Sequence, residues 1–109
     1  SFAPIAGDMV VGTPYLYVRR VVIGNDLVRI NVDTNEYVQI PFAGTATANV
    51  RDIVYIQSTN SFWGAEDDQL IKYDLTTNIV TQVTVPGLAA GGYGAAYTDS
   101  AGQLYVSNN

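Results

Sequence analysis

Two stretches of the chain carry nearly the same order of hydrophobic and polar positions. NDLVRINVDTNEYVQIP (25–41) and DQLIKYDLTTNIVTQVTVP (68–86) align with Leu27 on Leu70, Val28 on Ile71, Arg29 on Lys72, Ile30 on Tyr73, Asn31 on Asp74 and Asn35 on Asn78, an offset of 43 residues. In each copy a β-rich run with one charged position leads into a polar group, VDTNE or LTTN, and then into a second run that ends at Pro41 or Pro86. Asp, Thr and Asn favour turns because their short side chains bond nearby backbone, and proline suits a strand end. The pattern predicts a β-hairpin in each copy.

Upstream of the second hairpin, DIVYIQSTNSFWGAEDD (52–68) predicts two more short strands, Ile53–Gln57 and Phe62–Ala65, joined by STNS. The closing stretch GAAYTDSAGQLYVSNN (94–109) aligns with them, Tyr97 on Tyr55, Leu104 on Phe62 and Tyr105 on Trp63, and reads as the front half of a third copy. The corresponding part of the first copy, GDMVVGTPYLYVRRVVIG (7–24), alternates like a strand at Tyr15-Leu-Tyr-Val but offers no clean match to Tyr55 or Trp63. A period in the low forties with four strands per unit is the pattern of β-propeller blades, small sheets that bury their faces by stacking on neighbours. The expected fold is therefore all-β. It is a single domain over 1–109, with about two and a half four-stranded propeller-type blades, in units of roughly 8–44, 52–87 and an incomplete 94–109. A compact β-sandwich, with the repeat as a duplicated hairpin, is the alternative.

GYGAAYTDSAGQLYVSNN (91–108), together with DQLIKYDLTTN (68–78), resembles propeller-like repeat domains of large secreted and surface proteins, a family lacking an assigned activity. The resemblance rests on the small-residue entry Gly94-Ala95-Ala96, the aromatic Tyr97, a polar turn ending at Gly102, and Leu-Tyr-Val before a terminal Asn. It covers roughly 52–109 and implies a fold and an extracellular or cell-surface setting without a reaction.

Composition narrows the chemistry. The chain holds 10 acids against 5 bases, with Glu36 and Glu66 its two glutamates and Lys72 its single lysine. Long exposed helices are rich in Glu, Lys and Arg, so their scarcity favours strands. A net charge of −5 disfavours nucleic acid, which needs a basic stripe. Arg19-Arg20, the adjacent basic pair, is expected on a solvated strand or loop. Cysteine and histidine are absent, which removes thiolates, the usual zinc ligands and the commonest general base. No apolar run is long enough to span a membrane as a helix. The chain begins SFAPIAGD, without an initiator Met or a signal peptide, as expected of a processed or excised piece.

Neither an enzyme nor a cofactor is expected. Glu66-Asp67-Asp68 lacks the alternate spacing of a calcium loop and reads as a solvated hairpin turn. Gly87-Leu-Ala-Ala-Gly-Gly-Tyr-Gly lacks the GK[ST] of a phosphate loop and reads as the crossover between units. Trp63 is a candidate sugar platform, though its match with Tyr105 points to packing. The leading expectation is a structural or interaction module of an extracellular filament or surface layer. Its partners are copies of itself or the remainder of a longer chain, met through strand edges at Gln103, Leu104, Tyr105, Val106, Tyr15 and Tyr17. The alternative is a lectin-like module that binds glycans, for which Trp63 should stand partly exposed in a cleft.

Overall fold

The computed structural model describes residues 4–20, 26–44, 50–89 and 93–108. Every strand but one belongs to an antiparallel ladder. Sheet 1 is a four-stranded meander of β1 (Pro4–Met9), β2 (Tyr15–Arg20), β3 (Leu27–Asn31) and β4 (Glu36–Ile40). A short β5 (Ala43–Gly44) follows, then a second meander of β6 (Val54–Ile56), β7 (Ser61–Glu66), β8 (Gln69–Asp74) and β9 (Ile79–Thr84). Because β5 pairs parallel with β9, sheet 2 has five strands in the order β5-β9-β8-β7-β6. Sheet 3 is the hairpin β10 (Tyr93–Thr98) and β11 (Leu104–Asn108). The chain is all-β, with several sheets and none closed on itself.

The hairpin turns repeat as expected. Asn31 Oδ1 accepts from the backbone N–H groups of Asp33 and Thr34 at 3.0 and 3.3 Å, and Asp74 Oδ1 accepts from that of Thr76 at 2.8 Å. Each turn closes through a left-handed asparagine, Asn35 at φ 63° and Asn78 at φ 56°, whose N–H donates to Asn31 O or Asp74 O at 2.8 Å. Asparagine tolerates that conformation better than most side chains. The acidic run Glu66-Asp67-Asp68 lies at the tight turn between β7 and β8, with Asp67 at φ 53°.

The front half of the first copy has the same plan as that of the second, at an offset of 46. Thr13 Oγ1 donates to Val10 O at 2.8 Å and Thr59 Oγ1 to Ile56 O at 3.2 Å; Val32 N–H donates to Pro14 O at 2.9 Å and Leu75 N–H to Asn60 O at 3.1 Å. Tyr17 stands opposite Arg29 where Trp63 stands opposite Lys72. The offset differs because seven residues separate the paired Arg19 and Leu27, against four between the equivalent pair Ala65 and Leu70.

Side-chain alternation sorts each sheet into two faces. Tyr15, Tyr17, Arg19 and Leu27 share the front face of sheet 1, which packs on the back face of sheet 2, formed by Tyr55, Phe62, Ile71, Tyr73 and Val80. Tyr17 and Phe62 lie 5.0 Å apart between ring centroids, and Tyr55 and Phe62 5.4 Å. Arg19 is therefore not solvated: its register opposite Leu27 places it in this interface, where it is only 1% exposed. The side chain of Arg20 lies outside the described residues, as do residues 90–92 of the glycine run.

The linker between sheets 1 and 2 runs beside β9, where Phe42 meets Tyr73 edge-on at 5.4 Å, and reaches β6 by way of buried Val50 and Ile53. Gly64 makes room for that passage. A Cβ there would stand 2.4 Å from Asp52 O and 2.8 Å from Val50 Cγ1.

Candidate functional site

Sheet 3 stacks on the front face of sheet 2. Its Leu104 shares a cleft of about 200 Å³ with Ile56, Ser58, Thr59, Trp63 and Leu70. The register sets which side chains reach this contact. Thr98 pairs with Leu104, and Tyr97 with Tyr105, whereas Tyr55 pairs with Phe62 and Val54 with Trp63. Leu104 and Tyr105 thus hold the positions of Phe62 and Trp63, as expected, but Tyr97 holds that of Val54 and not that of Tyr55. The turn in sheet 3 is one residue shorter. A one-residue slip sends a side chain to the opposite face, so Tyr97 joins Tyr105 on the side away from sheet 2.

There the two rings stack, with centroids 5.4 Å apart and planes inclined by 6°, and remain 55% and 41% exposed. Asp99 fixes the turn behind them. Its Oδ1 accepts from the N–H groups of Ala101 and Gln103, both at 3.0 Å, and its Oδ2 accepts from the Tyr105 hydroxyl at 2.9 Å. The Gln103 N–H and then the Tyr105 hydroxyl hold the Asp99 carboxyl below its ordinary 3.8. The same hydrogen bond and the Asp99 charge push the Tyr105 phenol above 10.0.

The sign of the pH dependence follows for each group. The Asp99 contribution to the hairpin is present above its unfolded value and is lost as pH falls through its depressed folded value. That of Tyr105 is present below pH 10 and is lost as pH rises through its elevated one. The Tyr97–Tyr105 stack should persist between these limits and loosen outside them, as read by ring-proton NMR shifts across a pH titration. Unchanged shifts on acidification well below 3.8 would contradict this role of Asp99.

Two carboxylates join first strand to first strand across the sheets. Asp8 Oδ2 in β1 accepts from the Tyr55 N–H in β6 at 2.8 Å, and Asp52 Oδ2, just before β6, accepts from the Ala96 N–H in β10 at 2.8 Å. Sequence reading missed both, since an isolated Asp beside a strand gives no signal of its own.

The expected edge residues divide. Leu104, Tyr105 and Val106 lie on β11, whose outer edge has no strand partner among the described residues, and Gln103 immediately precedes it. Tyr15 and Tyr17 do not lie at an edge: β2 is paired on one side with β1 and on the other with β3, and Tyr17 is buried. Trp63 is half-buried, its Nε1 donates to Thr59 Oγ1 at 2.9 Å, and Lys72 Nζ lies 5.5 Å from its ring centroid. Arg29 caps Tyr15 in the same manner at 4.5 Å, beside an open cleft of about 300 Å³ that includes Asn31, Glu36 and Tyr37.

No curated protein matches this sequence. A family model does match, over residues 5–109, and with repeated turns and repeated register already evident within that span, the chain belongs to the family described as "Repeat of unknown function (DUF6923)".

Proposed function

We propose that the chain is a run of β-propeller-type blades acting as a structural or interaction module in an extracellular or surface assembly of filament or surface-layer type. The observation that carries this reading is the stacking of its sheets. The front of sheet 1 covers the back of sheet 2, sheet 3 repeats that relation on the front of sheet 2, and an aromatic face is left uncovered at the end of the series. Stacked repeats of this kind draw their stability from neighbours, so an uncovered face and an open β11 edge suit a partner of the same construction. The extracellular setting rests on the resemblance to repeats of secreted and surface proteins. Light scattering on the purified chain should give a mass that rises with concentration. A constant monomer mass would overturn the assembly reading.

A lectin-like module is the second reading, favoured by the partial exposure of Trp63 in its cleft beside Ser58 and Thr59. Trp63 is the single tryptophan, so its emission reports directly on that cleft. Neutral sugars should shift it if they stack there, and an unmoved spectrum across a glycan panel would remove this reading.

A further inference from the structure

Between sheets 1 and 2 the described tyrosines meet phenylalanine: Tyr17 and Tyr55 lie against Phe62, and Tyr73 against Phe42. Sheet 3 instead sets two phenols side by side. Tyr97 and Tyr105 are direct cross-strand partners in the β10–β11 hairpin, with ring centroids 5.4 Å apart. The Tyr105 hydroxyl donates to Asp99 Oδ2 at 2.9 Å, with Gln103 Oε1 a second acceptor at 3.3 Å, so a carboxylate already stands where a phenol proton would leave. Asp99 is itself held by the N–H groups of Ala101 and Gln103. Strand register and turn fix all three groups within one hairpin, a geometry that needs neither a free face nor a free strand edge.

We propose that Tyr97 and Tyr105 form a tyrosine cross-linking site, at which a peroxide and a haem peroxidase join the two rings into dityrosine while Asp99 takes the Tyr105 proton. Each phenol gives up one electron to the peroxidase and one proton, that of Tyr105 to Asp99 Oδ2, leaving two neutral phenoxyl radicals. A carbon–carbon bond forms between their ortho carbons, and the hydrogens on those carbons move to the phenoxyl oxygens as the rings regain aromaticity. The pair thereby loses two hydrogens, and one peroxide takes up the two electrons and two protons to become two waters. Coupling needs the ortho carbons and not the ring faces to meet, so the rings turn out of the parallel stack as the bond forms. Placement side by side favours reaction within a chain over reaction between chains, because it replaces an encounter in solution by a contact already made. In a chain without cysteine the product is a covalent staple across sheet 3, closing the loop from 97 to 105 as a disulfide would. The site is independent of either reading of the function.

Treating the dilute chain with hydrogen peroxide and a haem peroxidase, under conditions that couple free tyrosine, should produce dityrosine fluorescence at monomer mass with the loss of two hydrogens. The chain has eight tyrosines, so peptide mapping decides the site: cleavage on the N-terminal side of aspartate separates Tyr97 from Tyr105 at Asp99 unless the two are linked. Tyr97→Phe and Tyr105→Phe keep both rings and should each abolish this product, whereas Tyr37→Phe should leave it unchanged. Asp99→Asn should slow its formation at least about tenfold, since a positioned proton acceptor commonly contributes more than that. Ring-proton shifts matching the wild type establish that the stack persists in that variant, and Asp99→Ser serves if it does not. Absence of an intrachain product, or dityrosine that maps to other tyrosines, overturns the site. An unslowed Asp99→Asn with the stack intact overturns the part given to Asp99.

Discussion

Phe62→Ala should lower the unfolding free energy by about 3–5 kcal/mol, the usual range for removing a large aromatic side chain from a core. Phe62 is fully buried and lies between Tyr17 of sheet 1 and Tyr55 of its own sheet, at centroid distances of 5.0 and 5.4 Å. The ring is held by backbone-paired strands on both sides, β6 and β8, so neighbours cannot collapse into the space without disturbing the ladder. The loss therefore combines transfer and cavity terms. A urea denaturation series checks it through the transition midpoint at unchanged slope. A loss below about 1 kcal/mol would mean that sheets 1 and 2 do not pack through this ring.

Asp8→Ala and Asp52→Ala come next, each with an expected loss of about 1.5–3 kcal/mol, the range for hydrogen bonds to charged groups. Each substitution removes the side-chain acceptor of a backbone donor, the Tyr55 N–H in buried β6 or the Ala96 N–H in β10. Hydrogen exchange separates the two. Asp8→Ala should speed exchange at Tyr55, and Asp52→Ala at Ala96, the latter with a red shift of Trp63 emission as sheet 3 loosens from its cleft. Asp8→Asn and Asp52→Asn retain an acceptor oxygen and should lose less. Equal exchange in variant and wild type would show the carboxylates to be incidental.

The parts of the fold that the sequence discloses are those where one residue type answers to one local need. The turns at Asn31–Asn35 and Asp74–Asn78 need a side-chain acceptor at the first position and a left-handed asparagine at the last, and both are written in the letters. The front half of the first copy follows the same plan, but the three extra residues between the paired Arg19 and Leu27 break the constant offset, and Leu16 replaces Phe62. Thr13 recurs at Thr59 and aromatic Tyr17 at Trp63, but at an offset of 46 that falls outside the 43-residue period of the hairpins. Tyr97 shows a different limit. Its alignment with Tyr55 is attractive by residue type, yet face is decided by pairing across the turn, which the shorter loop to Leu104 shifts by one. Arg19 looked like surface because it is charged and has a charged neighbour. The alternation of Tyr15, Tyr17 and Arg19 along β2 outranks that preference and turns all three inward. The exposed Tyr97–Tyr105 face is the least legible part, since exposure belongs to the stacked arrangement and not to any single strand.

The parallel pairing of Ala43-Gly44 with Ile79-Val80 also bears on the order in which this chain folds. Sheet 1 is a meander of neighbouring strands and can form from local contacts as soon as residues 4–40 are available. Phe42 follows at once, but the tyrosine it packs against stands 31 positions later and the strand that holds its linker later still. The burial of Phe42 thus rests on contacts far along the chain and ties the linker to a second sheet that must already be paired through β8 and β9.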